Sequence, residues 1–498
     1  MLQKIKNSFQ NFGDRNALCI EDKFFTYKQL AQKTLAIVQK IQQITLERQQ
    51  IIGVLINNNL STYASILATW FSGNIFVPIN PLHPQKRNLD ILEQTNMKYL
   101  LASQKESGKE FSQIETLIYT EDLFSEETLF PEIEYHINDY LYILFTSGST
   151  GKPKGVPVSL KNISSFIENF LSVGFQINET DKFLEIFDLT FDASVHCYAL
   201  PFSLGGCVYP VSPQKIKYLD AYRILEKHEI TFAKITPSTL AYLRPFFQKI
   251  NLPHLKYSLF GAEAFHASIA DEWQKCVPNA KIYNVYGPTE ATINTFAYEK
   301  PAVGYKSFNG VVSIGKTFGN NVAVVINENQ QLVGNNVKGE LCLGGHQVVD
   351  KYWKLPEKTN SQFIDIEVNG KIQKFYKTGD IVFTDNEGDT FFVGRIDEQV
   401  QINGYRVELG EVENAAKQIF TGRNVVAVTK PDKNFVPLIY LFVEASENEF
   451  SVPTNQFLQI LPPYMCPYKI LYLQEFPKAA GGKISKSEIK NILNNITD

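Results

Sequence analysis

Apolar positions in the first eighty residues alternate between helical and strand-like spacing. Thr26 stands where a helix N-cap belongs, and apolar residues follow it at roughly helical spacing, which predicts an amphipathic surface helix. The branched apolar run 51–56 predicts a short buried strand, the segment 63–71 a helix, and Ile75–Ile79 a second strand. This order is typical of βαβ units, in which helices connect parallel strands.

The same rhythm continues through the next part of the chain. Short apolar runs bounded by Gly, Pro, Asn or Asp occur at 141–146, 161–171, 183–187, 222–228 and 232–235. They predict an α/β body with mostly parallel sheets. After Val324 the pattern changes to short strands separated by turn signals, which predicts a smaller mixed sheet.

A second domain is predicted near the C-terminus. From Gly404 the pattern resets to a helix beginning near Leu409 and strands at 425–428 and 438–443, as in a compact α+β unit. At 498 residues the chain is too long for one ordinary hydrophobic core, so at least two domains are expected. We place the boundary at Asp397, which gives domains of residues 1–396 and 397–498.

Charge and composition narrow the possible classes of function. The 48 basic and 52 acidic residues give a net charge of -4, which supplies no electrostatic footprint for nucleic acid or an anionic membrane. Chemistry on small molecules is therefore favoured. The N-terminal segment lacks the continuous apolar core of a signal peptide, so we expect a cytoplasmic location.

The cysteines do not indicate a metal site or disulfides, and one uncharged segment does not indicate a membrane span. The cysteines are scattered without CxxC spacing, so they predict buried free thiols instead of a zinc site or a disulfide framework. The segment 193–211 has no formal charge and is about as long as a membrane span. His196 and several prolines and glycines would break or burden a transmembrane helix, so we interpret the segment as buried core beside a pocket.

A glycine-rich loop carries the strongest single chemical signal. The strand-like run 142–145 leads directly into the sequence TSGSTGKPKG at 146–155. Glycines permit a tight turn, backbone N–H groups and hydroxyls can donate to phosphate oxygens, and two lysines supply positive charge. The loop does not fit the Walker pattern, because Pro153 follows Lys152 where Ser or Thr is required. The plain alternative is a flexible solvent loop.

The ordered set of motifs resembles the adenylate-forming superfamily: acyl-CoA synthetases, luciferases, and adenylation domains of nonribosomal peptide synthetases with their stand-alone relatives, such as D-alanine:carrier protein ligases. The matching segments are 25–30, Gly73 with 77–81, 146–155, 191–194, 286–290, 339–345, 376–380, 394–397, 401–413 and 482–483. The resemblance implies an α/β fold, with a large N-terminal domain of two parallel-type α/β subdomains plus a small β-barrel-like subdomain. A small mobile α+β domain would follow.

The resemblance also implies ATP and Mg²⁺ as cofactors. Tyr286 would offer an aromatic face to adenine and Asn284 would meet its amino group, while Thr289 would contact the α-phosphate. Glu290 would hold Mg²⁺, which prefers hard oxygen ligands, and Asp380 would accept from the ribose hydroxyls. Taken alone, these segments could be turns and helix caps. The implied ATP-binding set is Thr146, Ser147, Gly148, Ser149, Thr150, Gly151, Lys152, Gly261, Ala262, Glu263, Asn284, Tyr286, Gly287, Thr289, Asp380, Arg395 and Lys483.

Lys483 is the implied catalytic lysine, acting with Thr289 and Glu290. In the family pattern this lysine inserts between the substrate carboxylate and the α-phosphate, where an ammonium can neutralise developing charge. Taken alone, a lysine in a Gly-Gly-Lys turn would be a solvated charge. Asp397 matches the family's hinge residue, about which the small domain swings.

The implied substrate pocket is centred on Asp192. Amino-acid-activating members of the family carry an aspartate here that pairs with the substrate's α-ammonium, whereas activators of fatty or aryl acids have no use for it. The alternative is a helix N-cap aspartate, and His196 could be an ordinary core residue. The register around Ile235 is open by one residue. The implied pocket set is Asp192, Ala193, His196, Ile235, Leu259, Gly261, Val285, Ile293 and Asn294.

The segment 404–411 resembles carrier-protein-directed adenylation domains more than CoA ligases. The expected reaction is ATP-dependent formation of an aminoacyl-AMP with release of pyrophosphate, then transfer to the phosphopantetheine thiol of a separate carrier protein, since the chain has no carrier serine motif. The first alternative is an acyl-CoA ligase for a small carboxylic acid. The second is a catalytically silent binding module, which is disfavoured because the loop, Glu290, Asp380 and Lys483 are all present.

Overall fold

The computed structural model describes residues 1–105, 107–108, 110–148, 152–301, 304–446, 454–478 and 484–496. The α-helices are α1 Leu2–Asn11, α2 Tyr27–Ile44, α3 Leu60–Phe71, α4 Gln85–Thr95, α5 Leu160–Leu171, α6 Asp192–Leu204, α7 Lys217–Lys227, α8 Pro237–Leu243, α9 Ala267–Cys276, α10 Pro356–Gln362, α11 Leu409–Ile419 and α12 Lys486–Asn495.

The strands of the first 300 residues are β1 Asn16–Ile20, β2 Lys23–Thr26, β3 Ile51–Leu55, β4 Ile75–Ile79, β5 Tyr99–Ala102, β6 Thr116–Tyr119, β7 Tyr140–Thr146, β8 Lys154–Ser159, β9 Lys182–Glu185, β10 Cys207–Pro210, β11 Phe232–Ile235, β12 Tyr257–Phe260, β13 Lys281–Tyr286 and β14 Phe296–Glu299. The later strands are β15 Ser307–Phe308, β16 Val311–Val312, β17 Lys316–Thr317, β18 Val322–Ile326, β19 Gly339–Gly344, β20 Phe363–Val368, β21 Lys371–Thr384, β22 Thr390–Arg395, β23 Gln399–Ile402, β24 Tyr405–Glu408, β25 Val425–Pro431, β26 Pro437–Glu444 and β27 Lys469–Leu473.

Two large sheets form the α/β body. Within the described residues, nine strands form one sheet in the order β17-β14-β13-β12-β11-β9-β10-β1-β2. Its central pairs, from β1–β10 through β12–β13, are parallel, and its outer pairs are antiparallel. The other sheet has the order β6-β5-β3-β4-β7-β8, with parallel pairing from β6 through β7. The predicted α/β class with mostly parallel sheets is confirmed.

A third sheet follows in the chain. Strands β18, β19, β20, β21 and β22 pair in the order β18-β19-β21-β20, with β22 also on β21. All of these pairs are antiparallel, so the expectation of a mixed sheet here was wrong. Strands β20 and β21 are joined by a tight turn and β21 and β22 by a short loop, and strands joined in this way pair antiparallel.

The helix predicted after Thr26 is α2. The Thr26 side chain accepts from the backbone N–H of Gln29, and the Gln29 side chain accepts from the backbone N–H of Thr26, which completes a capping box. The apolar run 183–187 begins in β9, which ends at Glu185, and the run 222–228 lies mainly in α7, which begins at Lys217.

The uncharged segment 193–211 forms α6 and β10, and both elements are largely buried. Gly205 ends α6 in the left-handed conformation with φ 86°, and a Cβ there would lie 2.4 Å from a ring carbon of Phe12. None of the helices in the described part of the chain is long and apolar enough to cross a membrane. The cysteine thiols are free; Cys466 is half-buried, and the buried ones are Cys19, Cys197, Cys207, Cys276 and Cys342.

The chain forms two compact units. The first comprises Met1–Asn80, Glu93–Phe145 and Gly155–Ile396, and the second comprises Pro81–Leu92, Thr146–Lys154 and Asp397–Asp498. In the second unit, the sheet β25-β26-β27 has α11 in the core on one face and α12 in the core on the other. A single boundary at Asp397 places the segments Pro81–Leu92 and Thr146–Lys154 in the N-terminal domain, whereas the structure groups them with the C-terminal residues.

Candidate active site

The N-terminal end of α6 carries a carboxylate with unused hydrogen-bonding capacity. Asp192 is the first residue of the helix, where backbone N–H groups and the helix dipole favour negative charge. Its Oδ2 atom is buried and has no hydrogen-bond partner among the described residues. Burial raises the pKa of Asp192, while the charge of Lys234 and a hydrogen bond from Thr289 oppose that rise. The carboxylate is thus suited to a cationic ligand. Ala193, the next residue, is half-buried.

His196 lies one turn further along α6 and is fully buried. Its ring packs edge-on against Phe170 and Phe232, with centroid separations of 4.5 and 5.8 Å. Neither ring nitrogen has a partner within the described part of the chain. Burial, assisted by the charge of Lys234, holds the pKa of His196 well below its usual range, so the imidazole is neutral. Its nitrogens can offer one donor and one acceptor to a ligand.

Neighbouring parallel strands place several pocket candidates on one sheet face. Lys234 of β11 lies opposite Leu259 of β12, and Leu259 lies opposite Tyr283 of β13. Because side chains alternate along a strand, Val285 shares the face of Tyr283, and Ile235 lies on the opposite face from Lys234. The sequence left the register at this position open by one residue. In the structure, Lys234 lies on the same sheet face as Leu259 and Val285, and Ile235 lies on the other face.

A strained turn after β13 positions Ile293 and Asn294. Thr292 and Ile293 have φ values of 53° and 75°, in the left-handed region that β-branched residues rarely adopt. Asn294 Oδ1 accepts a 2.7 Å hydrogen bond from Lys234 Nζ. A Cβ on Gly287 would lie 2.7 Å from the Asn294 Cα, so only glycine fits against the turn. Strain of this kind is concentrated at functional sites.

Gln347 holds this turn, and sequence reasoning did not single it out. Its Nε2 atom donates to three backbone carbonyls within 291–294, at 3.3, 3.2 and 2.8 Å. Its Oε1 atom accepts from the side-chain amides of Asn169 and Asn321 at 2.9 and 2.8 Å. The side chain is fully buried, so the network is shielded from water. A glutamine outside the family motifs gives no sequence signal for this role.

Replacing Gln347 with leucine is expected to lower the free energy of unfolding by about 2–4 kcal/mol, because several buried polar groups lose their partner at once. Urea unfolding measures the change. The matched control is Gln3→Leu at an exposed position, with an expected change within about 0.5 kcal/mol. Equal stability of the two variants would contradict the role given to the Gln347 network.

Glu290 lies in the short 3-10 turn Thr289–Ala291 and is fully buried. Its Oε1 atom accepts a 2.7 Å hydrogen bond from the Tyr352 hydroxyl, and its backbone carbonyl accepts from the Val349 N–H at 2.9 Å. Tyr352 orients one carboxylate oxygen, and the sequence did not identify it. Thr289 is half-buried, and its hydroxyl lies near enough to Asp192 to lower the pKa of that carboxyl against the effect of burial.

Glu290 is the candidate ligand for Mg²⁺. Mg²⁺ is usually bound through one or two carboxylates together with substrate phosphates. Glu290 provides one oriented carboxylate, which fits that arrangement. Within the described residues, no group of three or more His, Cys, Asp or Glu side chains could form an all-protein metal cage.

Asp380 and Arg395 form a cross-strand pair in the third sheet. The two residues are directly opposite each other in β21 and β22, and Arg395 Nη1 lies 2.5 Å from Asp380 Oδ1. The Tyr286 hydroxyl donates a short hydrogen bond to the other oxygen of Asp380. Burial, followed by the charge of Asp380, raises the pKa of Tyr286 well above its usual range, so the phenol stays protonated. The structure thus brings three of the expected ATP-binding residues into contact.

Asn284 and the segment 261–263 lie near the carboxyl ends of β13 and β12. The Asn284 amide nitrogen donates to the backbone carbonyls of Val312 and Ser313 at 3.1 and 3.0 Å, which directs its Oδ1 atom as an acceptor. Glu263 accepts from the backbone N–H of Ser238 at 2.7 Å, at the N-terminal end of α8. The contacts of the segment 261–263 with a nucleotide would therefore come mainly from its backbone. Ala262 is exposed and has a left-handed backbone conformation, and Gly261 packs against Val285.

The described part of the glycine-rich loop belongs to the second unit from Thr146 to Lys154, and Gly155 belongs to the first. The Ser147 hydroxyl donates to the Arg406 carbonyl at 2.8 Å, and Thr146 Oγ1 is buried without a partner among the described residues. A Cβ on Gly148 would lie 2.1 Å from the Lys152 carbonyl oxygen, so the loop requires glycine there. The Lys152 side chain is exposed. Ser149, Thr150, Gly151 and Lys483 lie outside the described residues.

A buried ion pair fixes Gly148 within the second unit. Glu411 of α11 pairs with Arg87 of α4 at 3.1 Å, and each side chain is 7% exposed. The other oxygen of Glu411 accepts a 3.4 Å hydrogen bond from the Gly148 N–H. Burial raises the pKa of Glu411, and the Arg87 charge opposes that rise. Asp397, the expected hinge, is the first residue of the C-terminal part of this unit and is exposed.

Arg87→Met is expected to destabilise α11 locally by about 3–5 kcal/mol, because it leaves the Glu411 carboxylate buried without its charge partner. Hydrogen exchange of the α11 amides measures the local opening free energy. The double variant Arg87→Met with Glu411→Gln should recover most of the loss. If both variants exchange like the unmodified protein, the ion pair does not stabilise this unit.

The mostly parallel α/β sheets described above belong to a fold class in which ligands bind beyond the carboxyl ends of the strands. The sequence profile of the family described as "AMP-binding enzyme" matches residues 5–353, and the chain belongs to that family. It is also similar to curated proteins. Tyrocidine synthase 1 of Brevibacillus parabrevis is 28% identical over 494 residues, which cover 98% of this chain and 44% of that protein. The chain thus spans less than half the length of this relative.

Solved structures share the fold. AlmE, a Vibrio cholerae adenylation domain in complex with glycyl-adenosine-5'-phosphate, has a TM-score of 0.85 at 24% identity, covering 99% of this chain and 97% of AlmE. A holo nonribosomal peptide synthetase protein with adenylation and PCP domains has a TM-score of 0.86 at 19% identity, covering 98% and 84%. The o-succinylbenzoate CoA synthetase MenE of Bacillus subtilis has a TM-score of 0.81 at 20% identity, covering 98% of each chain.

Proposed function

We propose that this chain activates an amino acid with ATP and passes the aminoacyl group to a carrier protein. The substrate carboxylate attacks the α-phosphate, the bond to the β-phosphate oxygen breaks, and pyrophosphate leaves. The phosphopantetheine thiol of a separate carrier protein then attacks the aminoacyl-AMP carbonyl, losing its proton as AMP leaves. The observation that carries the proposal is the buried Asp192 Oδ2 atom, which has no partner among the described residues.

The residues of the first unit have distinct roles in this proposal. Asp192 pairs with the α-ammonium of the amino acid, since a buried carboxylate requires a cationic or donor partner. Thr289, which lies near Asp192, would contact the α-phosphate. Asp380, oriented by Arg395 and Tyr286, accepts from the ribose hydroxyls.

Glu290 would hold Mg²⁺ in this reaction, and the ion would supply neutralisation of phosphate charge when bound. Lys483 would neutralise the charge that develops at the α-phosphate, and the glycine-rich loop would donate backbone N–H groups to the β- and γ-phosphates. Asp397 would act as the hinge. The predicted place of the reaction is the cytoplasm.

Two observations support a carrier protein as the acceptor. The segment 404–411 resembles that of carrier-directed adenylation domains, and a structure that includes a PCP domain shares the fold. The second candidate function is a CoA ligase for a small carboxylic acid, which the fold shared with MenE favours.

Intact-mass measurement of the acceptor tests the proposal. The chain is incubated with ATP, Mg²⁺ and a panel of amino acids, with a phosphopantetheinylated carrier protein, the same carrier without the arm, or CoA. A mass increase of one aminoacyl group on the phosphopantetheinylated carrier alone is expected. Faster formation of an acyl-CoA from an acid without an amine would favour the second candidate function and contradict the first.

A further inference from the structure

Lys234 is a buried lysine on the pocket face, and the proposed reaction does not use its charge. Lys234 is 3% exposed, and its Nζ atom donates to Asn294 Oδ1 at 2.7 Å. Nζ also lies 5.8 Å from the centroid of the Phe187 ring. Among the described residues, no carboxylate forms an ion pair with Lys234. An ammonium has three donors, so Asn294 leaves two of them unused.

Lys234 faces the same space as Asp192 and His196. Asp192 and His196 are four residues apart, on one side of α6, and Phe232 and Lys234 are two residues apart, on one face of β11. The His196 ring contacts Phe232 with centroids 5.8 Å apart. This contact places the side of α6 that carries Asp192 and His196 against the Lys234 face of the sheet.

Three polar groups around this space have unused hydrogen-bonding capacity. They are the Asp192 Oδ2 atom and both ring nitrogens of His196, which have no partner in the described chain, and the two unused donors of Lys234. Burial lowers the pKa of Lys234, and the charge of the nearby Asp192 opposes that effect. A ligand with both a cationic and an anionic group would satisfy these atoms together.

Charge balance identifies the anionic group, on the basis of the proposed function. The α-ammonium of the substrate pairs with Asp192, and its α-carboxylate is directed to ATP. The buried charge of Lys234 then requires an anion from the remaining part of the substrate. Glu185 does not supply it, because burial raises the pKa of that carboxyl well above its usual range and keeps it protonated.

We infer that Lys234 binds an anionic group at the end of the substrate's side chain, so that the chain activates an acidic amino acid with a side-chain carboxylate. Asn294 orients the ammonium, and the neutral His196 supplies a further donor to the carboxylate. Leu259, opposite Lys234 on β12, closes the pocket with an apolar side chain. An uncharged side chain of the same length would leave the lysine without a charge partner.

Amino-acid-dependent exchange of pyrophosphate into ATP tests this inference with aspartate and glutamate, both enantiomers, against asparagine, glutamine and apolar amino acids. We expect kcat/KM for the preferred acid to exceed that for its amide by about 10²-fold, since the amide cannot neutralise Lys234. Equal or greater exchange with the amide or an apolar amino acid would overturn the inference. The proposed function would stand in that case, whereas exchange with no amino acid would contradict both.

The variant Lys234→Met keeps the length of the side chain and removes its charge. We expect kcat/KM for the acid to fall by about 10²–10³-fold, while that for the amide changes by less than about threefold. Thermal unfolding should be unchanged or shifted upward, because replacing a buried charge by an apolar group removes its desolvation cost. An equal loss of exchange for the acid and the amide would show a structural role for Lys234 and overturn the inference. Lys234→Arg should restore part of the preference for the acid.

Discussion

Asp192→Asn is expected to lower kcat/KM for amino-acid-dependent pyrophosphate exchange by about 10²–10³-fold. Removing one member of a buried ion pair costs about 3–5 kcal/mol, and each factor of ten corresponds to about 1.4 kcal/mol. Asparagine keeps the shape of the side chain and removes only its charge. The loss would therefore report on the charge that faces the substrate ammonium.

The control for this prediction is chemical as well as genetic. An acid that lacks the α-amine should be activated poorly by the unmodified chain. In Asp192→Asn, the ratio of kcat/KM for the amino acid to kcat/KM for this acid should be smaller than in the unmodified chain. Asp122→Asn removes an exposed carboxylate whose ion pair is with the exposed Lys105, and pyrophosphate exchange by this variant should stay within about twofold of that by the unmodified chain. Unchanged amino acid exchange in Asp192→Asn would remove Asp192 from substrate binding.

Lys483→Ala is expected to lower the rate of pyrophosphate exchange by about 10²–10³-fold, through loss of a preorganised charge at the α-phosphate. The prediction rests on the family motif, since Lys483 lies outside the described residues. Lys478 and Ile484, the described residues on either side of Lys483 in the second unit, form an antiparallel backbone bridge. The effect should appear in kcat, because the charge acts mainly in the transition state.

Lys478→Ala is the matched control. Lys478 is an exposed lysine on the same stretch of chain, and its contact is an exposed pair with Glu475 at 3.0 Å. Exposed pairs contribute little, so exchange by this variant should stay within about twofold. If the Lys483 and Lys478 variants behave alike, Lys483 has no part in adenylate formation.

Elements with one buried face could be predicted from the sequence. Helix α2 has a capping box at Thr26 and apolar residues at helical spacing, so its pattern indicates both its start and its buried side. Helix α6 has no such pattern, because residues on all its sides are buried, and the sequence indicated only that this segment is core. The strand Ile75–Ile79 was predicted with its observed bounds because it is apolar throughout and short.

Tertiary contacts determined what the sequence could not. Lys234 is a lysine in a short apolar run, and its burial becomes evident only when its strand lies between β9 and β12. Gln347 bonds to residues more than fifty positions away, a contact that no local pattern encodes. The two short segments of the second unit are likewise joined to the C-terminal residues by contacts such as Arg87 with Glu411.

Pyrophosphate exchange with an amino acid and its deaminated counterpart tests the central claim most directly. The claim is that this member of the AMP-binding enzyme family activates an amino acid, recognised through Asp192. We predict exchange with the amino acid to exceed that with the deaminated acid by about 10²-fold or more, because only the ammonium can pair with the buried carboxylate. Exchange that is equal for both acids, or greater for the deaminated one, would contradict the claim.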